Sequence, residues 1–258
     1  MDYSTMFRLD GKHAVVIGCG GIGAELVEGL AAQGARLTCL DADAEVAAQA
    51  AARASAHVPA GSGEANVLDA DGLAAVATGL GDVDVLVLTA ATNVRKRVLD
   101  YSPEEFDRVV GLNLRGTFNA VRAFGPGMAA RQGGSIIALS SIRALAVEPG
   151  QGVYAATKAG MVQLLRALAA ELGPQGVRVN AVAPGVVETP LTDQIRADEA
   201  WGRAYAEKSA LGRWARPEEL VGAVAYLASD AASFVTGSQL LVDGGWTAID
   251  GRFTPPFG

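Results

Sequence analysis

Tyr154 and Lys158 stand four residues apart in the run Tyr154-Ala155-Ala156-Thr157-Lys158, a spacing that puts two side chains on one face of a helix. A free phenol titrates near pH 10, and a neighbouring ammonium favours its phenolate, so such a pair can exchange a proton with an alcohol near neutral pH. Taken alone, a Tyr/Lys pair is more often an accident of a helix surface. A second run, Gly18-Cys19-Gly20-Gly21-Ile22-Gly23, follows an apolar stretch ending at Ile17 and opens an Ala/Leu/Glu-rich stretch. It fits G-x-G-x-x-G at a strand-to-helix turn, where bare backbone approaches a pyrophosphate and a helix N-terminus offers unpaired N–H groups. The competing reading is a purely structural turn.

Asp41 ends the next apolar run. At that position a carboxylate accepts hydrogen bonds from the adenosine ribose and repels a 2′-phosphate, which predicts NAD over NADP; otherwise it caps the following helix. Asn66 either holds the adenine edge or is a turn residue.

The elements that must position these residues follow from periodicity. Strands are predicted at Ala14 to Ile17, Arg36 to Leu40, His57 to Pro59, Val83 to Leu88, Ser135 to Leu139, Val177 to Val182 and Gln239 to Val242. Helices are predicted at Ala24 to Ala32, Ala44 to Ala54, Leu73 to Gly79, Pro103 to Met128, Val153 to Leu172 and Pro217 to Ser229. The alternation argues for βαβ units and a parallel sheet covered on both faces. No linker, repeat or low-complexity tract divides residues 1–258, so one domain is expected. Its pattern loosens at about 186–216, where a substrate loop or an ordinary helical hairpin fits equally.

Of the 258 residues 50% are hydrophobic and 19% charged, and the net charge is −7. This is a folded chain without the basic field that nucleic acid or an anionic membrane requires. Two cysteines and two histidines leave no disulfide framework and no transition-metal set. Without a secretory leader or an apolar run long enough to span a membrane, a cytoplasmic protein is expected. The 32 glycines, about 12% of the chain, exceed the usual share near 7%.

Six motifs stand in order. They are the glycine turn, Asn113-Leu114-Arg115-Gly116, Ser140-Ser141, Tyr154-x-x-x-Lys158, Arg178-Val179-Asn180-Ala181-Val182-Ala183-Pro184-Gly185 and Val242-Asp243-Gly244-Gly245. With these the chain resembles the short-chain dehydrogenase/reductase family over nearly its whole length. The resemblance implies a single-domain, Rossmann-type doubly wound α/β sheet of about seven parallel strands with helices on both faces. It also implies a nicotinamide cofactor, hydride transfer between a secondary alcohol and a ketone, and a homotetramer.

Carried over, Tyr154 becomes the general acid/base and Lys158 the group that lowers its pKa and holds the nicotinamide ribose. Ser141 becomes the donor to the substrate oxygen, and Asn113 the anchor of a water linking Lys158 to solvent. Pro184, Gly185 and Val187 are expected along the nicotinamide and Thr189 at its carboxamide or the pyrophosphate. Gly18, Gly20, Gly21, Ile22, Gly23, Asp41, Asn66, Val67 and Ala90 complete the expected cofactor contacts. Two departures stand out. The glycine turn is one residue shorter than the family's and lacks its threonine, and Leu88-Thr89-Ala90-Ala91 replaces the family's Asn-Asn-Ala-Gly.

Arg95, Lys96, Arg97 and Arg143 form a cationic set near the expected site. Arg95 and Arg143 in particular offer guanidinium forks for a carboxylate or phosphate, unless these are solvated or interface charges. The run Asn93-Val94-Arg95-Lys96-Arg97 resembles the gluconate and deoxygluconate dehydrogenase branch, and a sugar, polyol or sugar acid is the expected substrate. A 3-oxoacyl reductase of fatty-acid synthesis and a non-catalytic NAD-binding sensor on the same fold are the alternatives. The first is disfavoured by Asp41, the second by retention of the four catalytic-type residues. The C-terminal run Gly251 to Gly258 reads either as a frayed end or as a segment reaching a neighbouring subunit.

Overall fold

The computed structural model describes residues 3–250; the C-terminal run discussed above lies outside them. Seven parallel strands form one sheet in the order β3-β2-β1-β4-β5-β6-β7. They are β1 (His13–Ile17), β2 (Arg36–Asp41), β3 (Ala60–Glu64), β4 (Val85–Leu88), β5 (Gly134–Leu139), β6 (Val177–Pro184) and β7 (Gln239–Val242). Between them run α1 (Ile22–Ala32), α2 (Ala44–Ala54), α3 (Ala70–Leu80), α4 (Pro103–Val110), α5 (Gly116–Ala130), α6 (Gly152–Leu172), α7 (Asp193–Arg196), α8 (Glu199–Lys208) and α9 (Val221–Ala228).

The sheet is apolar on both faces because helices cover both. Along β1, Ala14 and Val16 enter one core with Leu26, Leu30 and Leu37. Val15 and Ile17 enter the other, with Leu86, Phe124 and Ile136. The strand order reverses between β1 and β4, and a crevice opens there beyond the carboxyl ends of the strands, where open α/β sheets bind ligands.

Two expectations are corrected. The third strand is not His57 to Pro59 but the polar, glycine-containing run Ala60–Glu64 at the sheet edge. Its residues carry little intrinsic strand preference; pairing from Leu37↔Ala60 to Asp41↔Glu64 makes it a strand. The long helix expected from Pro103 to Met128 starts as read, with Ser102 and Glu105 capping each other reciprocally. It is then interrupted by a π-helical stretch, Gly111–Arg115, which carries Asn113. Such stretches are rare and frequent at functional sites. Residues 186–216, where the sequence pattern loosens, hold α7 and α8, whose Ile195 and Tyr205 pack with Ile142, Val186 and Trp246 in a small third core. A bridge between Val187 and Ala215 closes the base of this segment.

Candidate active site

Two adjoining cavities occupy the crevice. The larger, about 410 Å³, is lined by Gly18, Gly20, Gly21, Ile22, Gly23, Asp41, Asn66, Val67, Ala90 and Thr189 among others. Most of it is backbone and small side chains. The glycines divide by what requires them. A Cβ on Gly23 would lie 1.9 Å from the Gly18 carbonyl oxygen, and one on Gly18, at φ +96°, 2.5 Å from Thr89 Oγ1. These two let the turn fold. A Cβ on Gly20 would approach nothing nearer than Val46 Cγ1 at 4.0 Å, so the chain itself does not demand glycine there.

Thr89, which stands where the resembling family has asparagine, donates its hydroxyl to the carbonyls of Ile17 and Gly18. It thereby ties β4 to the shortened turn. α1 starts at Gly21 without a side-chain cap, whereas α2, α3 and α4 are capped by Asp43, Asp69 and Ser102. An uncapped helix N-terminus on a glycine-floored cavity suits an anion such as a pyrophosphate.

Asp41 accepts from the Cys19 N–H at 2.7 Å and from the Asp43 N–H at 3.1 Å. It braces the glycine turn while lining the cavity, and the cap of α2 is Asp43 instead. No Lys or Arg lines this cavity among the described residues. Asn66 accepts from the Leu68 N–H through Oδ1, which makes it a turn residue whose amide also borders the cavity. A dinucleotide therefore fits the residues present.

The smaller cavity, about 130 Å³, is lined by Ser141, Tyr154, Lys158, Pro184, Gly185, Val187, Asn93, Arg95, Arg143, Gln151 and Tyr205, and shares Ile22, Thr89, Ala91 and Thr189 with the first. Gly185 is glycine because a Cβ there would meet Asp243 Cα at 2.7 Å; its immediate requirement is packing against the turn after β7. On α6 the buried stripe Tyr154, Thr157, Lys158, Met161, Val162 and Leu165 packs inward, so helical spacing places the phenol and the amine on one internal face. Lys158 is 1% exposed. It donates to the Leu139 carbonyl at 2.7 Å and lies 5.6 Å from the centre of the Tyr154 ring.

Burial without a carboxylate partner brings the Lys158 ammonium down to about 7. Burial also pushes the Tyr154 phenol above its ordinary value, against a hydrogen bond with Ser141 and the charges of Arg95 and Arg143. Desolvation outweighs these stabilising partners. Asn113 is completely buried. Its amide hydrogens go to Thr92 O (2.9 Å) and Thr157 Oγ1 (3.1 Å), and its Oδ1 accepts from Thr92 N at 2.8 Å. Both side-chain hydrogens are thus committed, and the side chain ties the segment after β4 to α6.

The two arginines expected to meet an anionic substrate differ. Arg143 is 7% exposed, and its Nη2 is paired with Glu148 at 2.7 Å. Its guanidinium also lies over the rings of Tyr205 and Trp246. Its charge is thus compensated by Glu148, although the residue lines the cavity. Arg95 lies over the Trp201 ring, and its Nη1 is buried without a hydrogen-bond partner, as is Asn93 Oδ1. Lys96 is committed to Glu105 at 2.7 Å.

Sequence reasoning missed Glu148, Gln151 and Tyr205. Gln151 stands three residues before Tyr154, one helical turn away, and spacing alone could have flagged it. Glu148 and Tyr205 meet only through tertiary packing and left no local signal.

A family profile described as enoyl-(acyl carrier protein) reductase matches residues 18–247. The galactitol 2-dehydrogenase (L-tagatose-forming) of Cereibacter sphaeroides is 41% identical over 253 residues, covering 96% of this chain and 99% of that protein. The gluconate 5-dehydrogenase of Gluconobacter oxydans is 33% identical over 253 residues, with the same coverage of 96% and 99%. Among solved structures, a gluconate 5-dehydrogenase from Burkholderia cenocepacia in complex with NADP and tartrate superposes with a TM-score of 0.92 at 33% identity. That match covers 95% of this chain and 98% of the other.

Proposed function

Because the chain belongs to the short-chain dehydrogenase/reductase family, oxidoreductases acting on CH–OH groups, we propose that it interconverts a secondary alcohol of a sugar, polyol or sugar acid with the ketone, using NAD. The observation that carries this is the convergence of Ser141, Tyr154 and Lys158 in a cavity that adjoins a glycine-floored one bearing Asp41 and no cation. When bound, the nicotinamide accepts or returns the hydride. The protein's own part is proton handling and positioning.

Ser141 donates to the substrate oxygen. Tyr154 as phenolate takes the hydroxyl proton as the alcohol is oxidised, and as phenol returns it in the reverse direction; general acid–base help of this kind contributes about 10²- to 10⁴-fold. Lys158, held by the Leu139 carbonyl, titrates close enough to neutrality to pass a proton onward. Asn113 keeps α6 in register with the loop after β4, and so fixes Tyr154 relative to Asn93 and Arg95.

NAD is favoured over NADP by Asp41, whose charge faces the place a 2′-phosphate needs. The relatives galactitol 2-dehydrogenase, gluconate 5-dehydrogenase and D-threitol dehydrogenase support a polyhydroxylated substrate. The single domain of residues 1–258 is part of this reading, as is a homotetramer built on the faces that expose Phe106, Phe118 and Leu241. Light scattering checks the assembly.

No helix among the described residues is long and apolar enough to cross a membrane, and a cytoplasmic location agrees with this reading. The decisive experiment is steady-state kinetics on alditols, aldonates, and cyclic and aromatic alcohols with NAD and with NADP. Turnover of alditols or aldonates with a higher kcat/KM for NAD is expected. Good turnover of cyclic or aromatic alcohols with alditols and aldonates inert overturns the substrate reading, and a preference for NADP overturns the cofactor reading.

A further inference from the structure

Glu148 lines neither cavity, yet three residues of the substrate cavity converge on its Oε2. Arg143, after β5, pairs with it at 2.7 Å. Gln151, at the start of α6, donates its amide to the same oxygen, and Tyr205, on α8, donates its hydroxyl. The three partners also touch one another. Arg143 Nη2 donates to Tyr205 Oη at 3.2 Å, and Gln151 Nε2 approaches it at 3.4 Å. Gln151 Oε1 accepts from Asn93 Nδ2 at 3.1 Å. One carboxylate thus joins the loop after β4, the loop after β5, α6 and α8 around the space in front of Tyr154.

The electrostatic consequence concerns the two guanidinium groups facing that space. A buried charge needs a counter-charge. Arg143 has one in Glu148; Arg95 forms no ion pair among the described residues, and its Nη1 has no hydrogen-bond partner. The lining is therefore asymmetric: one neutralised arginine serves as wall, and one uncompensated arginine is left to face a ligand.

We propose that Glu148, which touches no reacting atom, is the specificity-determining residue of the substrate cavity: by clamping Arg143, Gln151 and Tyr205 it leaves Arg95 as the guanidinium that meets the substrate, and so admits neutral or singly charged polyhydroxy compounds over more highly charged anions. This rests on the polyhydroxy-substrate reading above. In addition it fixes the charge such a substrate carries. Without Glu148, the full charge of Arg143 returns to the cavity.

The test uses the full chain loaded with NAD, with L-tartrate as a hydroxylated dianion and galactitol as a neutral probe, both measured by calorimetry. NAD affinity is measured first and is expected to stay within about twofold of wild type in every variant, since Glu148 is not in the dinucleotide cavity. Glu148→Gln keeps the shape and removes the charge. It is expected to tighten tartrate about tenfold, the equivalent of about 1.4 kcal/mol, and to leave galactitol within about twofold. Adding Arg143→Gln to that variant is expected to abolish the gain.

Arg143→Gln in the wild-type background covers the case of a Glu148 variant that does not fold; it leaves the Glu148 carboxylate uncompensated beside the cavity and is expected to weaken tartrate about tenfold while galactitol stays within about twofold. Unchanged tartrate affinity in Glu148→Gln, a gain that survives in the double variant, a double variant about tenfold weaker than wild type, or unchanged tartrate affinity in Arg143→Gln alone each overturns the proposal. A purely structural clip would lower thermal stability without moving the tartrate-to-galactitol ratio. Failure of the broader reading looks different: no alditol or aldonate is turned over by wild type, while the tartrate gain and its reversal are still readable.

Discussion

The two cavities are built by opposite means. The dinucleotide side is made of contiguous backbone: a six-residue glycine turn, an uncapped helix start and one carboxylate that bonds the turn it faces. The substrate side is made of long side chains from four separate segments, joined through a single carboxylate. A backbone site tolerates few changes within the turn and is indifferent to the rest of the chain. A side-chain site tolerates backbone variation but depends on charges that must balance across the fold. Specificity for the substrate can therefore be changed without disturbing the cofactor, and the reverse is harder.

The sharpest separation of the two sides is Tyr154→Phe. It removes one hydroxyl from the substrate cavity and nothing from the glycine turn. Turnover is expected to fall by about 10³-fold, within the range for loss of a general acid/base, with NAD affinity within about twofold of wild type. Stopped-flow kinetics and fluorescence titration read the two quantities separately, and residual turnover above a tenth of wild type removes Tyr154 from its role.

Gly23→Ala is the counterpart on the other side. Its Cβ would sit 1.9 Å from a backbone oxygen, so the turn must shift. The expected cost is about 3 kcal/mol, at the upper end of overpacking penalties, together with loss of measurable NAD binding. Urea unfolding that matches wild type contradicts the close approach.

A pH effect distinguishes the sides next. The folded-state pKa of Lys158 lies at about 7 and its ordinary value is 10.5. Between those limits the unfolded chain holds a proton that the folded chain does not, so this group makes stability rise with pH across that window. Below about pH 7 both states are protonated, and the cost of burying the charge is fully present. In Lys158→Met this contribution disappears, and the difference in unfolding free energy between wild type and variant is expected to grow by up to about 1.4 kcal/mol per pH unit between pH 7 and 10. Parallel stability curves from urea titrations at pH 7, 8, 9 and 10 contradict it.

The contrast also explains what the sequence disclosed. The glycine turn, Asp41 and the Tyr154/Lys158 pair are local in the chain, and their spacing carries their geometry. The strands β1, β2, β4, β5 and β6 were legible because burial on both faces makes them continuous apolar runs. The strand Ala60–Glu64 was not, since its pairing with β2 and not its own residues makes it a strand. The π-helical stretch at Asn113 interrupts a sequence whose helical period gives no warning. Arg143 looked like a free cation because Glu148, though only five residues on, reaches it through the tertiary path of the loop, and Tyr205 joins them from α8.

Asp41→Asn reads the single charge on the backbone side. The amide keeps an oxygen for the Cys19 N–H, so the turn is preserved, while the repulsion of a 2′-phosphate is removed. The ratio of kcat/KM for NAD over NADP is expected to fall about tenfold, as for the loss of one charge repulsion of about 1.4 kcal/mol. An unchanged ratio removes Asp41 as the discriminator.

Gly20→Ala gives the smallest effect on folding and the clearest test of what the glycines are for. Its added Cβ meets only Val46 Cγ1, at 4.0 Å, and Gly20 is not among the positive-φ glycines. Alanine can take that backbone conformation, and at compatible sites the exchange stabilises by about 0.4–1 kcal/mol through the unfolded chain. The apo protein should therefore unfold at the same or a slightly higher temperature. If bare backbone at Gly20 is where a pyrophosphate approaches, NAD affinity should nevertheless fall, because the methyl group stands on the open floor of the cavity. Gly23→Ala loses both fold and ligand; Gly20→Ala loses ligand alone. An alanine variant with wild-type NAD affinity would move the phosphate contact to Gly21 and the start of α1, leaving Gly20 as a residue neither the chain nor the cofactor requires.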